Sequence, residues 1–444
     1  MPEPLVIVHG WSDEPSSFQK LEAFLASNLA VKPVVIKLAD WMSMHNEVTF
    51  ADLAEAMKNA WEQHKLPTAP RSVNIVVHST GALVVRHWMT RFYQPSTVPI
   101  KRFLMLAPAN FGSPLAHKGN SFIGRALKGW DEPGFQTGTH ILKGLELASP
   151  YTFALAERDL FSATPWYGRG RILATVLVGN KGYGGFTGAL VDADGSDGTV
   201  YFSTANLNCA RLQVRLSDKQ EVIDEPVLAS SKGAIAFGLI AKENHSTITL
   251  NKTPGNPLTK QLILRALSVD DGDYPDGDGA FPWQKEIDKH DPDIQQRSDA
   301  FQNTVVHLTD DLGHEVKDYF VEFYRHVGQD PLDARLYKKF IHSIHPYKDN
   351  TAFRALYLNI KELDKAQRDF AVKELYISLL ASPTFSPEKE KEHPVGYLAV
   401  PTNELAGLHI PKAQFPEFFK AHRTLLIEVI LTRKVSRRVF RLLP

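Results

Sequence analysis

The sequence predicts an α/β domain on a mainly parallel sheet, followed by a β-sandwich. Three observations carry this prediction. Residues 1–268 alternate short β-branched runs with longer amphipathic stretches, an acidic turn-rich segment from Asp270 to Gly279 then breaks the pattern, and beyond residue 300 short apolar runs follow one another with no helix between most of them.

The strand candidates of the first domain are Leu5 to Val8, Val34 to Leu38, Val73 to Val77, Phe103 to Ala107, Ile172 to Val178 and Ile235 to Ala241. Near-continuous apolar runs of this length suit parallel strands buried on both faces. Between the second and third, Phe50, Leu53, Ala54, Met57 and Trp61 fall on one helical face behind Thr49, an N-cap residue, so a helix covering the sheet is expected.

The interval from Asn110 to Gly170 is too long for a plain crossover. Within it Phe122, Ile123, Ala126, Leu127 and Trp130 repeat at helical spacing, and a second short helix is expected around His140 to Ala148. The interval reads as a helical cap over about 110–170, with an ordinary surface insertion as the alternative.

Residues 269–300 read as an acidic Gly/Pro linker and 301–444 as the sandwich. Its strand candidates are Thr304 to Leu308, Tyr319 to Tyr324, Phe353 to Ile360, Glu374 to Leu380, Gly396 to Val400, Leu425 to Leu431 and Arg438 to Leu443.

Composition narrows the function classes. Fifty Lys plus Arg balance 50 Asp plus Glu in 444 residues, which argues against a nucleic-acid partner, and 43% hydrophobic content against 23% charged residues argues against global disorder. Cys209, the single cysteine, excludes an internal disulfide and a cysteine-based zinc site. The N-terminal Met1-Pro2-Glu3-Pro4 carries no basic segment ahead of an apolar leader, so a cytoplasmic location is expected, with export by a route other than Sec left open. No apolar run approaches the roughly 20 residues of a membrane span, which leaves peripheral contact with a lipid interface. The basic segment Arg433 to Arg441 could make such contact or could be the solvated face of a last strand.

The strongest local signal is Val77-His78-Ser79-Thr80-Gly81, which follows a strand candidate and precedes the helical run Ala82 to Trp88. A serine at a sharp strand-to-helix turn is lifted above the sheet and presented to substrate. On this motif alone a serine N-cap remains the alternative. The arrangement resembles the nucleophile elbow of the α/β-hydrolases, with Val77 standing where the family's G-x-S-x-G pattern has its first glycine.

Further segments carry the same resemblance. Val8-His9-Gly10-Trp11-Ser12 is similar to the His-Gly segment that supplies half of the oxyanion hole, so the resemblance implies backbone N–H donors at Trp11 and Thr80, with His9 a structural histidine. Losing one such donor typically costs about 2.7 to 4 kcal/mol of barrier. Leu106 to Ala116 is similar to the Gly-Ser-Pro-Leu segment at which the cap begins.

A serine hydroxyl needs an imidazole to take its proton and a carboxylate to orient that imidazole. Of 17 histidines, His245 in Asn244-His245-Ser246-Thr247-Ile248 follows the last strand candidate, the family's position for the base. His78 and His87 lie beside the serine in sequence, but His78 is read as pointing away from its hydroxyl at the tight turn and His87 as lying on the following helix; a surface-loop histidine is the alternative for His245. For the acid, Asp197-Gly198-Thr199-Val200 looks like the Asp-Gly-x-Val segment of bacterial lipases and esterases, with Asp194 as the second candidate and a plain Asp-Gly turn as the alternative. The order Ser79, Asp197, His245 agrees with that of the fold.

The likeness spans about residues 5–265 and lacks two leading strands, so it implies a reduced, six-stranded α/β-hydrolase fold. It implies a serine hydrolase of carboxylic esters acting on an ester or lipid substrate, as a lipase, phospholipase or esterase, whose activity falls at acid pH as the base is protonated. The rivals are a catalytically silent domain that binds through its sandwich, and an acyltransferase or an amide or polyester hydrolase using the same triad. No cofactor is expected. Bound calcium is the lesser alternative, at Asp192, Asp194 and Asp197 or at Asp271, Asp273, Asp276 and Asp278.

Overall fold

A computed structural model of the protein describes residues 3–8, 18–37, 46–116, 138–184, 192–219, 221–252, 254–324, 338–369, 374–398 and 408–436. The chain divides into two compact units, Met1–Asn208 with Ser231–Asp299, and Cys209–Ser230 with Ala300–Pro444.

In the first unit the elements run β1 (Leu5–Val8), α1 (Gln19–Leu29), β2 (Val34–Ile36), α2 (Phe50–Gln63), β3 (Val73–His78), α3 (Gly81–Phe92), β4 (Ile100–Leu106), α4 (Thr139–Leu145), α5 (Pro150–Asp159), β5 (Leu173–Gly179) and α6 (Phe202–Ala205). The chain then gives the second unit a hairpin, β6 (Ala210–Leu216) and β7 (Val227–Ser230). It returns for β8 (Ile235–Ile240), α7 (Pro257–Ala266), α8 (Pro282–His290) and α9 (Ile294–Arg297).

The six expected strands form one sheet in the order β2-β1-β3-β4-β5-β8, parallel throughout. Every residue of β1, β3, β5 and β8 is buried, which is why these strands read as near-continuous apolar runs. Helix α2 starts in a capping box, the Thr49 hydroxyl accepting from Asp52 N–H at 3.3 Å and the Asp52 carboxylate accepting from Thr49 N–H at 2.9 Å. Its predicted face, Phe50, Leu53, Ala54, Met57 and Trp61, is buried, and Trp61 meets Trp88 of α3 at 4.7 Å between ring centroids. Each large apolar side chain so buried contributes about 1.5–3 kcal/mol. Of the expected cap, the helix near His140 forms as α4, whereas the stripe from Phe122 to Trp130 lies outside the described residues.

Of the stretch read as a linker, 269–300, residues 269–299 belong to the first unit. Arg71 holds the Asp271 carboxylate through two bonds of 2.9 and 2.6 Å, and Arg265 holds Asp273 in the same way at 3.2 and 2.5 Å. Helix α8 buries Trp283, whose indole N–H donates to Thr175 Oγ1 at 2.9 Å. The Gln284 amide pairs with both backbone groups of Phe237 on the edge strand β8, at 2.8 and 2.9 Å. Asp271 read as part of a boundary because its arginine partner, Arg71, stands 200 residues away in the chain.

The second unit continues with β9 (Phe301–Asp310), β10 (Tyr319–Tyr324), β11 (Ile341–Pro346), β12 (Phe353–Asn359), α10 (Ile360–Asp369), β13 (Glu374–Ala381), β14 (Thr384–Phe385), β15 (Val395–Leu398), β16 (Leu408–Pro411), α11 (Phe415–Phe418), β17 (Thr424–Leu431) and β18 (Lys434–Val435). A six-stranded sheet, β11-β12-β9-β17-β6-β7, and a three-stranded sheet, β10-β13-β16, share one apolar core that includes Leu212, Val306, Phe323, Leu356, Leu379, Ile410 and Leu425. A short sheet of β14, β15 and β18 completes the set. The sandwich expectation holds, with two additions: the hairpin from 210–230, and parallel pairing of β17 with both β6 and β9. The strand expected over Arg438 to Leu443 lies outside the described residues.

Candidate active site

The chain passes from β3 into α3 through Ser79, whose φ of 52° is left-handed, a conformation that costs a residue with a Cβ about 1–2 kcal/mol. Neighbouring backbone holds the turn. Ser79 N–H donates to Leu106 O at 3.2 Å, and the Ser79 carbonyl accepts from Ala82 and Ala109 N–H, each at 3.3 Å. Thr80 is the N-cap of α3, so its N–H stands at the positive end of the helix dipole.

His245 arrives on the loop after β8. Its Nε2 lies 3.1 Å from Ser79 Oγ and its Nδ1 3.0 Å from Asp197 Oδ2. A carboxylate accepts, so Nδ1 carries the ring proton and Nε2 keeps a lone pair facing the serine hydroxyl. All three groups are shielded from water: Ser79 is 7 % exposed, His245 1 % and Asp197 0 %. The His245 loop is stitched locally, Asn244 Oδ1 accepting from Ser246 and Thr247 N–H at 3.1 and 2.9 Å. It also packs on β5 at Gly179, where a Cβ would stand 2.2 Å from Glu243 O; only glycine permits that approach.

Asp197 sits in a tight loop that satisfies its second oxygen internally. Oδ1 accepts from Thr199 and Val200 N–H, both at 2.9 Å, leaving Oδ2 for the imidazole. The Asp-Gly-Thr-Val spacing has a plain use: Gly198 takes φ +95°, and the next two N–H groups fold back onto the carboxylate. The Gly-Ser-Pro-Leu segment braces the same loop, Ser113 Oγ donating to Thr199 O at 2.5 Å.

Of the residues singled out in the sequence, the structure brings Ser79, Asp197 and His245 together. Asp194 is exposed at the surface. His87 lies on α3 with Nδ1 3.1 Å from Tyr151 Oη, and burial, aided by Arg158 and Arg91, lowers its pKa to about 4. His9 and Trp11, and with them the expected first oxyanion donor, lie outside the described residues. Of the acidic clusters, Asp192 accepts from Tyr183 and Gly184 N–H at 2.8 and 2.9 Å, and Asp271 and Asp273 pair with arginines. Among the described residues no group of three or more His, Cys, Asp or Glu side chains is arranged to hold a metal ion.

Two neighbours of the site were not singled out for a role. His78 Nε2 lies 2.9 Å from the His245 carbonyl oxygen, and the Tyr183 hydroxyl lies 3.2 Å from Thr199 Oγ1 and 3.3 Å from Ser246 Oγ, joining the loops of Asp197 and His245. The only sequence signal for the first was a histidine immediately before the serine. For Tyr183 there was none.

No protein-family model and no curated protein sequence matches the chain. Solved structures do, two of them of one protein. One is phospholipase PlaB from Legionella pneumophila, which superposes with a TM-score of 0.83 at 23% sequence identity over 99% of this chain and 96% of that one. The other is the same phospholipase in complex with thio-NAD, with a TM-score of 0.82 at 22% identity over the same shares. At these identities the likeness establishes the fold, and the chain has the α/β-hydrolase fold with additional β sheets.

Proposed function

We propose that this protein is a serine hydrolase of carboxylic esters, acting on lipids, in which Ser79 is the nucleophile, His245 the general base and Asp197 the acid that orients it. The observation carrying this reading is the His245 ring, which bridges Ser79 Oγ at 3.1 Å and Asp197 Oδ2 at 3.0 Å in a buried site. His245 takes the hydroxyl proton as Ser79 attacks the acyl carbon, and gives it to the departing alcohol. Water then releases the acid from the acyl-enzyme by the same route. Thr80 N–H and, by family resemblance, Trp11 N–H stabilise the oxyanion. This chemistry needs no cofactor. The lipid preference draws on the shared fold with a protein described as a phospholipase.

The test is hydrolysis of p-nitrophenyl esters from C2 to C12, and of phospholipid vesicles, by wild type and Ser79→Ala, together with fluorophosphonate labelling. Turnover and labelling that both vanish in the variant are expected, with preference for long acyl chains. A folded wild type that neither labels nor turns over any ester would overturn the proposal.

A further inference from the structure

We infer that His78 is a positioning residue for the base, holding the backbone of His245 from the nucleophile's side. The inference rests on the proposed roles of Ser79, His245 and Asp197. His78 ends β3, is 4 % exposed and directs Nε2 at the His245 carbonyl oxygen at 2.9 Å. A backbone carbonyl only accepts, so Nε2 carries a proton and donates.

His245 is thereby held at both ends of its own backbone. Its N–H donates to Asp197 O at 3.0 Å, and its carbonyl accepts from His78, the residue adjoining Ser79. The two imidazoles also pack together, ring centroids 4.6 Å apart and tilted by 48°, while Phe18 meets the His78 ring edge-on at 5.6 Å. One buried side chain thus ties the backbone of the base to the strand that carries the nucleophile. Proton transfer needs Nε2 of His245 within about 2.6–3.2 Å of the hydroxyl, and a misplacement of about 1 Å costs on the order of 100-fold in rate. With its ring packed against Phe18 and His245, His78 acts on the rate rather than on substrate affinity.

The loop has fastenings of its own at Asn244, so removing the His78 bond should loosen the base without unfolding it. Phenylalanine fills the ring's space without an N–H, whereas glutamine supplies an N–H near the place of Nε2. In the full chain, His78→Phe should lower kcat and the rate of fluorophosphonate labelling of Ser79 by about 10- to 100-fold with KM little changed. His78→Gln should recover most of that loss. The inference fails if folded His78→Phe labels at the wild-type rate, or if Phe and Gln variants are equally slow.

Should His78→Phe not fold, ¹H–¹⁵N spectra of the wild-type imidazoles, assigned with His78→Gln, decide the matter. A proton held on His78 Nε2 supports the inference, and an unprotonated Nε2 at neutral pH overturns it. Wild type that does not label at Ser79 would sink the functional reading and this inference together, whereas normal labelling of wild type and His78→Phe alike sinks this one alone.

Discussion

His245 is joined to Asp197 twice, its backbone N–H donating to the Asp197 carbonyl and its ring Nδ1 to the Asp197 carboxylate, each at 3.0 Å. The first bond sets where the His245 loop lies, and the second sets the tautomer and plane of the ring. Asp197→Asn keeps the first and disturbs the second, so it should leave the melting temperature near wild type while lowering kcat by about 10⁴-fold. Asp194→Asn, at an exposed position, should leave turnover near wild type. Ester hydrolysis by the two variants checks both statements, and the reverse ranking would show that the acid is misassigned.

Gly198 makes the acid loop sensitive to a single methyl group. A Cβ there would stand 2.6 Å from the Tyr183 ring, on a backbone at φ +95°. Gly198→Ala should therefore add about 1–3 kcal/mol of backbone strain and displace the carboxylate from His245, lowering activity by more than its loss of stability explains. Gly170→Ala is the control, since its φ of +70° is strained but nothing lies within 4 Å of the added carbon. Thermal melts and kcat measured side by side distinguish the two, and full activity in Gly198→Ala would refute the argument.

The sheet, the turn at Ser79 and the loops that bring Asp197 and His245 to it were legible because each is encoded locally. Val73 to Val77 is a run apolar but for Asn74 that ends at a small-residue turn, and Asp197 is satisfied by the N–H groups two and three residues on. Contacts between distant segments were not legible. The β6–β7 hairpin interrupts the first unit's sequence yet pairs with β17, more than 200 residues on, and Leu212, Val214 and Leu216 alternating with Gln213 and Arg215 were its only local sign. Asp271 read as a solvated linker because nothing near it in sequence announces Arg71. His78 read as a bystander because its partner is a backbone carbonyl, which no side-chain pattern reports.

His87 predicts how stability depends on pH. It stacks on Tyr151 at 5.7 Å between centroids, and burial, with Arg158 and Arg91 nearby, lowers its pKa from 6.5 to about 4. The neutral ring is thus favoured by folding. Its contribution is fully present above the unfolded value of about 6.5 and is lost as pH falls from there toward about 4, where the folded ring also protonates. Melting temperatures between pH 7 and pH 4 should fall more steeply for wild type than for His87→Phe, which keeps the stacked ring and removes the titration. Parallel curves would exclude this source.

The helix that follows Ser79 is anchored by a buried ion pair. Arg86 and Asp159 are both fully buried, Nε and Nη2 donating to the two carboxylate oxygens at 2.7 and 2.9 Å. Tyr167 Oη donates to the same carboxylate at 2.8 Å, and Arg86 Nη1 donates to Asn110 O at 3.2 Å. Burial opposes the guanidinium charge, but the Asp159 carboxylate more than restores it, so the Arg86 pKa is raised. Such a pair costs much to break and little to replace, because removing one partner strands the other's charge in a dry interior. Asp159→Asn and Arg86→Met should each destabilise the protein by about 3–5 kcal/mol, while the double variant should be less damaged than the sum of the two. Chemical denaturation followed by fluorophosphonate labelling of Ser79 reads out the unit that carries the pair. If Asp159→Asn unfolded at the wild-type denaturant concentration, the pair would not be what anchors α3.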